Sequence, residues 1–181
     1  MAMLNFASHG TQDAYKVFLE KYHGIPQATA AGVFAFAMVG ALIGGIVFGL
    51  ASDRFGRRRM MIAAFAGALC VVPLWALSVE MRWIIVGGFA MQFMVQGAWG
   101  VIPAHLCELS PNQVRGFLPG FSYQCGNLIA ASIMYVQTKL APIYGYPAVL
   151  TATASAIFIV AIIVVAAGRE RRGMAFHDGE P

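Results

Sequence analysis

At 181 residues, 59% hydrophobic and 11% charged, the chain lacks the polar surface of a soluble domain, in which about 25% of residues are charged. Segments of about 20 apolar residues crossing a bilayer account for such a composition. The formal charge of +4 lies mostly in two arginine clusters. These runs are short and no aromatic-interleaved basic groove accompanies them, which excludes nucleic acid as a partner.

Six helical spans are expected: 1–21, 28–52, 60–77, 83–106, 111–139 and 147–168, followed by a polar tail over 169–181. The first holds Asn5, Ser8, His9, Gln12, Asp13 and Lys16 within an arc of roughly 140° at about 100° per residue. Asn5, His9 and Asp13 succeed each other at four-residue steps and stack along one line of the helix. One face of this span therefore meets something wet. No signal-peptide core precedes Asn5, and the abrupt start leads us to expect that the opening helix is cut short.

The second span carries Gly40, Gly44, Gly45 and Gly49, two small-xxx-small pairs that let a neighbouring helix approach closely without naming it. The fourth holds Gln92, Gln96 and His105, the first two on one face that could line a cavity; His105 is expected to satisfy a local carbonyl. The fifth opens on Ser110, Pro111 and Gln113, the pattern of a capping box with proline at the first helical position, and holds Gln124 and Asn127. The sixth is the most uniformly apolar and is expected to be a lipid-facing support. Cys70, Cys107 and Cys125 lie in apolar runs without CxxC spacing and read as small core residues. His23 and His177 fall in a loop and in the tail.

Lysines and arginines set the orientation. Arg54, Arg57, Arg58, Arg59, Arg115, Arg169, Arg171 and Arg172 fall in alternate connections and the tail, eight in all, against three (Lys21, Arg82, Lys139) on the other side. The arginine-rich side and both termini are therefore expected in the cytoplasm, in a plasma or inner membrane. Tyr22, Trp75, Trp83, Tyr144 and Tyr146 then gather at the outer interface, where amphipathic rings are favoured.

Two loops carry motifs. Gly49, Asp53, Arg54, Gly56, Arg57 and Arg58 spell G-x-x-x-D-R-x-G-R-R between spans two and three. Taken alone it is also what a basic loop obeying the positive-inside rule looks like. Its spacing resembles the signature loop of the major facilitator superfamily, found between the second and third helices of either six-helix half. Glu108 and Arg115, between spans four and five, stand where those half-domains place an acid and an arginine that join the first loop. The resemblance implies a cytoplasmic gating network of Asp53, Arg57, Glu108 and Arg115, able to hold one conformation and release in another.

The opening stretch is more specific. Asn5-x-x-Ser8-His9-x-Thr11-Gln12-Asp13 is similar to the N-x-x-[S/T]-H-x-[S/T]-Q-D-x-x-x-T signature that Jen-type monocarboxylate–proton symporters, kin of the sialate–proton branch, carry on helix seven. Val17 departs from its final Thr, and Lys16 replaces a common proline. Gln124 and Asn127 resemble a polar patch on helix eleven of the same proteins. The resemblance covers essentially the whole chain and implies an all-α integral membrane fold, six transmembrane helices forming the C-terminal half of a major facilitator.

The function this implies is proton-coupled symport of a small carboxylate such as lactate or pyruvate, by alternating access around a midplane site. Ionisable groups within a membrane are costly and mark pathways. Histidine changes charge near neutrality, so His9 beside Asp13 is suited to take up a proton. Asn5, Ser8, Gln12, Gln124 and Asn127 then supply hydrogen bonds to the anion or its water. The bland reading is that these polar groups merely bond neighbouring helices. A carrier also needs an opposing six-helix half, whether encoded elsewhere or supplied by a second copy. The alternatives are a non-transporting remnant or accessory subunit, and half of a sugar or aromatic-acid porter sharing both loop motifs. No nucleophile–base pair, metal-ligand spacing or phosphate loop points to an enzyme, a metal or a cofactor.

Overall fold

The computed structural model describes residues 1–168; the tail expected over 169–181 lies outside the described residues. The chain forms α1 (Ala2–Lys21), α2 (Gln27–Phe55), α3 (Arg57–Leu77), α4 (Met81–Leu109), a 3-10 turn (Asn112–Val114), α5 (Leu118–Ala130), α6 (Ser132–Tyr144) and α7 (Tyr146–Ala167). Ala131, between α5 and α6, keeps right-handed helical angles and its N–H still bonds the Asn127 carbonyl at 2.9 Å. The two pieces are thus one bent helix, and the architecture is six transmembrane helices. By length and composition α2, α3, α4 and α7 suffice to cross a membrane. The polar stripe lowers the hydropathy of α1, and the bend divides the fifth span.

Gly56 alone separates α2 from α3, with φ of +99°. A side chain there would be strained, which explains the motif glycine in physical terms. Gly145 (φ +82°) makes the equivalent reversal between α6 and α7.

The helix expected to open at Pro111 begins later. Ser110 caps nothing ahead of it: its hydroxyl turns back and donates to the Leu106 carbonyl at 2.7 Å, finishing α4. Pro111 instead opens the 3-10 turn, and Pro119 lies in the first turn of α5. The hydroxyl faces back along α4 and caps no N–H beyond Pro111, so the chain passes through the 3-10 turn before α5 begins.

The glycines of α2 find their partner in α4. A Cβ on Gly40 would lie 2.6 Å from the Phe89 carbonyl oxygen, one on Gly44 would fall on the Phe93 carbonyl, and one on Gly100 would fall on that of Gly45. The two backbones meet with no room for a side chain between them. On its other side α2 is bare, with Leu42 and Leu50 about two-thirds exposed, at 67% and 69%.

The core runs between α1, α3, α4 and α7 through Tyr15, Phe18, Phe65, Met91 and Phe158. Trp75 belongs to it and not to the aromatic belt: it is 1% exposed and stacks on Tyr15 at 5.3 Å between centroids. Tyr22, Trp83 and Tyr144 are exposed. Cys70 and Cys125 are exposed too, and Cys107 half-buried, so the expectation of three core cysteines is corrected. In a membrane helix the outward face is as apolar as the inward one, so an apolar run does not tell core from lipid side.

Candidate functional site

α1 packs against α2, α4, α5, α6 and α7. Unlike the seam of α2 with α4, its contacts with α4, α5 and α6 include side-chain hydrogen bonds. On the α4 side, Gln96 Nε2 donates to Ser8 Oγ at 3.0 Å and Gln12 Nε2 to Gln92 Oε1 at 3.0 Å. Gln92, itself buried, donates onward to the Thr11 carbonyl at 3.4 Å. Further along α1, the Tyr15 hydroxyl donates to the Ile84 carbonyl at 3.2 Å. On the α5 side, Asn5 Nδ2 donates to the Tyr123 carbonyl at 3.0 Å, and His9 Nε2 lies 3.3 Å from Asn127 Oδ1. These spacings follow from the helical repeat: residues four apart on α1 meet residues four apart on an antiparallel or parallel neighbour.

Between these joints opens a cleft of about 370 Å³, lined by Asn5, Ser8, His9 and Gln12 of α1, with Met38 and Ala41 of α2, Gln96 and Trp99 of α4, and Tyr123 and Asn127 of α5. Trp99 and Tyr123 meet edge to face at 5.6 Å and form an aromatic wall. No lining residue carries a fixed positive charge, so an anion bound here draws its countercharge from His9 or from beyond the lining.

His9 is the pivot. Its Nδ1 lies 3.0 Å from Asp13 Oδ2, and both side chains are 37% exposed. With the Asn127 amide as it stands, both ring nitrogens face oxygen acceptors. Imidazolium, with two N–H groups, satisfies both; neutral imidazole, with one, cannot. Rotating the Asn127 amide presents its NH₂ instead and suits the neutral ring.

Five of the seven expected binding residues line the cleft: Asn5, Ser8, His9, Gln12 and Asn127. Asp13 is linked to it through His9. Gln124 is exposed and is not brought into it. Thr11, part of the same motif, turns its hydroxyl onto its own helix, donating to the Ala7 carbonyl at 2.9 Å.

At the arginine-rich end, Arg57 joins three elements. Its Nη1 lies 2.6 Å from Asp53 Oδ1 and donates to Ser52 Oγ at 2.6 Å, while its Nε donates to Glu108 Oε1 at 3.1 Å. Glu108 and Arg57 are largely buried, at 11% and 15% side-chain exposure. Arg115 donates from Nε to the Cys107 carbonyl at 3.1 Å, next to Glu108 in the chain. Arg58 bonds the Val165 carbonyl at 2.9 Å and that of Ala166, fastening the end of α7. Arg54 lies over the Phe55 ring at 5.7 Å.

The family model of the Major Facilitator Superfamily matches residues 1–179. The chain belongs to this superfamily. It is 30% identical to a carboxylic acid transporter protein homologue of Saccharomyces cerevisiae, over 92% of this chain and 29% of that protein. It is 29% identical to a gallate transporter of Pseudomonas putida over 80% of the chain and 32% of the relative, and 31% identical to a D-xylose transporter of Levilactobacillus brevis over 55% and 22%. The chain thus spans less than a third of the length of these superfamily relatives. Its helices form one half of a major facilitator fold, in an integral membrane protein.

Trp99, Tyr123, Met38 and Ala41 were not expected in the site, and Gln96 was one of two glutamines placed there on its helical face. The signal for the aromatic pair lay in the same periodicity. Trp99 follows Gln96 by three, and Tyr123 precedes Asn127 by four, whereas Gln124 is three away and turns outward. Met38 and Ala41 carry no polar signal and enter only because the glycines hold α2 against α4.

Proposed function

We propose that the chain is the C-terminal half of a secondary active transporter that symports a small monocarboxylate with a proton, by alternating access against a second six-helix half. The observation that carries this reading is His9, held between Asp13 and Asn127 on the wall of a polar cleft within an apolar bundle. Uptake of a proton turns the ring into the cation the cleft otherwise lacks. Release of the proton on the other side of the membrane removes the countercharge and lets the carboxylate go. Reciprocal turning of the Asn127 amide keeps the ring satisfied in both states.

Asn5, Ser8, Gln12, Gln96 and Asn127 hydrogen-bond the anion or its water. Gln124 contributes once the second half is in place. The Asp53–Arg57–Glu108 cluster, with Arg115 beside it, is the gate on the arginine-rich side, which the positive-inside rule assigns to the cytoplasm. Ion pairs of this kind can hold one state and release in another.

The test is uptake of radiolabelled lactate into proteoliposomes carrying this chain together with a six-helix N-terminal half, under an imposed pH gradient. His9→Ala should abolish the acceleration by an inward proton gradient, and Asp13→Asn should do the same, while both insert normally. Gradient-driven uptake unaltered in both variants would sink the mechanism.

A second reading, half of a sugar porter, is favoured by the neutral amides that dominate the cleft and by the xylose-transporting relative. Uptake inhibited by excess xylose and indifferent to the pH gradient selects it.

A further inference from the structure

Ten residues beyond Asn127, past the bend at Ala131, Gln137 of α6 is 2% exposed and takes no part in the cleft. Its Nε2 donates to the Gly10 carbonyl of α1 and to Thr153 Oγ1 of α7, each at 3.0 Å. Thr153 directs its own hydroxyl proton to the Val149 carbonyl at 2.7 Å, so it accepts from Gln137. The orientations fix each other: the Gly10 oxygen can only accept, so the amide nitrogen faces it. Oε1 is then left buried without a partner. A buried acceptor with no donor costs stability, and an apolar side chain of similar shape would not incur that cost. The amide is therefore poorly explained as a fastening for the fold.

Its position suggests another use. Asn127 and Gln137 lie on either side of the α5–α6 bend and grip consecutive residues of α1, one the His9 ring and the other the Gly10 carbonyl. Gly10 permits this, since a Cβ there would already lie 3.3 Å from Ile157 Cδ1 and 3.5 Å from Ile133 Cγ1.

We propose that Gln137 is a positioning residue for His9, tying the adjacent backbone to α6 and α7 so that the ring stays within reach of Asn127. The proposal rests on the proton-handling reading of His9. Of the charged groups, Asp13 on its own helix lies at hydrogen-bond distance. The elements packed against it offer neutral Met38, Ala41, Gln96, Trp99, Asn127, Gln137 and Thr153, with Tyr123 the one titratable group among the lining residues of α2, α4 and α5. Nε2 of the ring has Asn127 as its partner whichever way the amide is turned, whereas Nδ1 is held by Asp13 of the same helix. Loosening the grip of α6 therefore shows at Nε2 and not at Nδ1.

The experiment is ¹⁵N-histidine magnetic resonance of this chain in lipid nanodiscs, with the His9 resonance assigned by its loss in His9→Ala. In Gln137→Leu the Nε2 resonance of the His9 ring should move toward that of a ring nitrogen without a partner while Nδ1 stays in place, with thermal stability equal to the parent or higher. Asn127→Ala should give a comparable shift, and the double variant should shift no further than Asn127→Ala alone. Thr153→Val, which keeps the Gly10 bond, should give a smaller shift and serves if the leucine variant does not fold. An unmoved Nε2 resonance in both Gln137→Leu and Thr153→Val, or a fully additive double variant, overturns the proposal. The readout requires no transport: unaltered uptake in His9→Ala would remove the proton-symport reading, whereas an unmoved His9 resonance removes only the role of Gln137.

Discussion

Two helices of this bundle are held in place by opposite means. α2 meets α4 through glycines, backbone against backbone, with Gly40, Gly44 and Gly100 each seated on a facing carbonyl. α1 meets α4, α5 and α6 through side-chain hydrogen bonds that involve Ser8, Gln12, Asn5 and His9, and through the Gly10 carbonyl, which accepts from Gln137. In a membrane there is no hydrophobic force between helices, so close packing and hydrogen bonds are the available glues. They differ in what they permit. A glycine seam has one arrangement and loses it to any added atom. A joint of amides, hydroxyls and an imidazole can exchange partners at small cost. The seam fixes the scaffold, and the polar joints surround the cleft.

The largest effect should come from spoiling the seam. Gly44→Leu places a side chain onto the Phe93 backbone, which cannot rotate aside as a side-chain tip could. A loss of about 3 kcal/mol or outright failure to fold is expected, at the upper end for overpacking. Reversible unfolding in mixed detergent micelles measures it. A midpoint like the parent's would show that α2 and α4 can part, and the contrast with α1 would fall.

Next in size is the arginine-rich end, which combines both means. Gly56 makes the turn and Arg57 clamps α2 to α4 through Asp53 and Glu108. Arg57→Ala leaves Glu108 largely buried without its cation, for an expected loss of about 2 kcal/mol, less than for a fully buried pair because Asp53 is exposed. Glu108→Gln in the same background should restore part of it, since the amide brings no unpaired charge. If the double variant is no more stable than Arg57→Ala alone, the clamp does not act through Glu108.

The two regions also differ in how far they could be read from sequence. The glycines announced a close approach by spacing alone, but not to which helix, because α4 meets Gly40 and Gly44 with Phe89 and Phe93 and answers with a glycine only at Gly100. The polar stripe of α1 announced a wet face, and its period placed Asn5, Ser8, His9 and Gln12 together. What periodicity could not fix was the rotation of the other walls. Gln124 and Tyr123 are neighbours on α5, and only the packed bundle decides that Tyr123 lines the cleft. Trp75 and the cysteines were misplaced for a related reason, since lipid and core are equally apolar. Gln137 carries no motif that marks it in the sequence; its burial depends on α1 and α7 closing over it.

The smallest effect sharpens the comparison most. Gln12 and Gln92 form a joint of two neutral amides, partly and fully buried. Were hydrogen bonds within the bundle as binding as the seam, a double-mutant cycle with Gln12→Leu and Gln92→Leu would return a coupling of several kcal/mol. Interhelical hydrogen bonds in membranes instead average about 0.6 kcal/mol, because each freed group finds another partner. A coupling of that order is expected here, since Gln92 also has the Thr11 carbonyl at 3.4 Å to fall back on. Such a value makes the α1 joints cheap to open beside the seam, as a helix lining a substrate cleft requires. A coupling above about 2 kcal/mol, outside the range measured for such bonds, would make α1 as fixed as α2 and leave the difference between them without functional meaning.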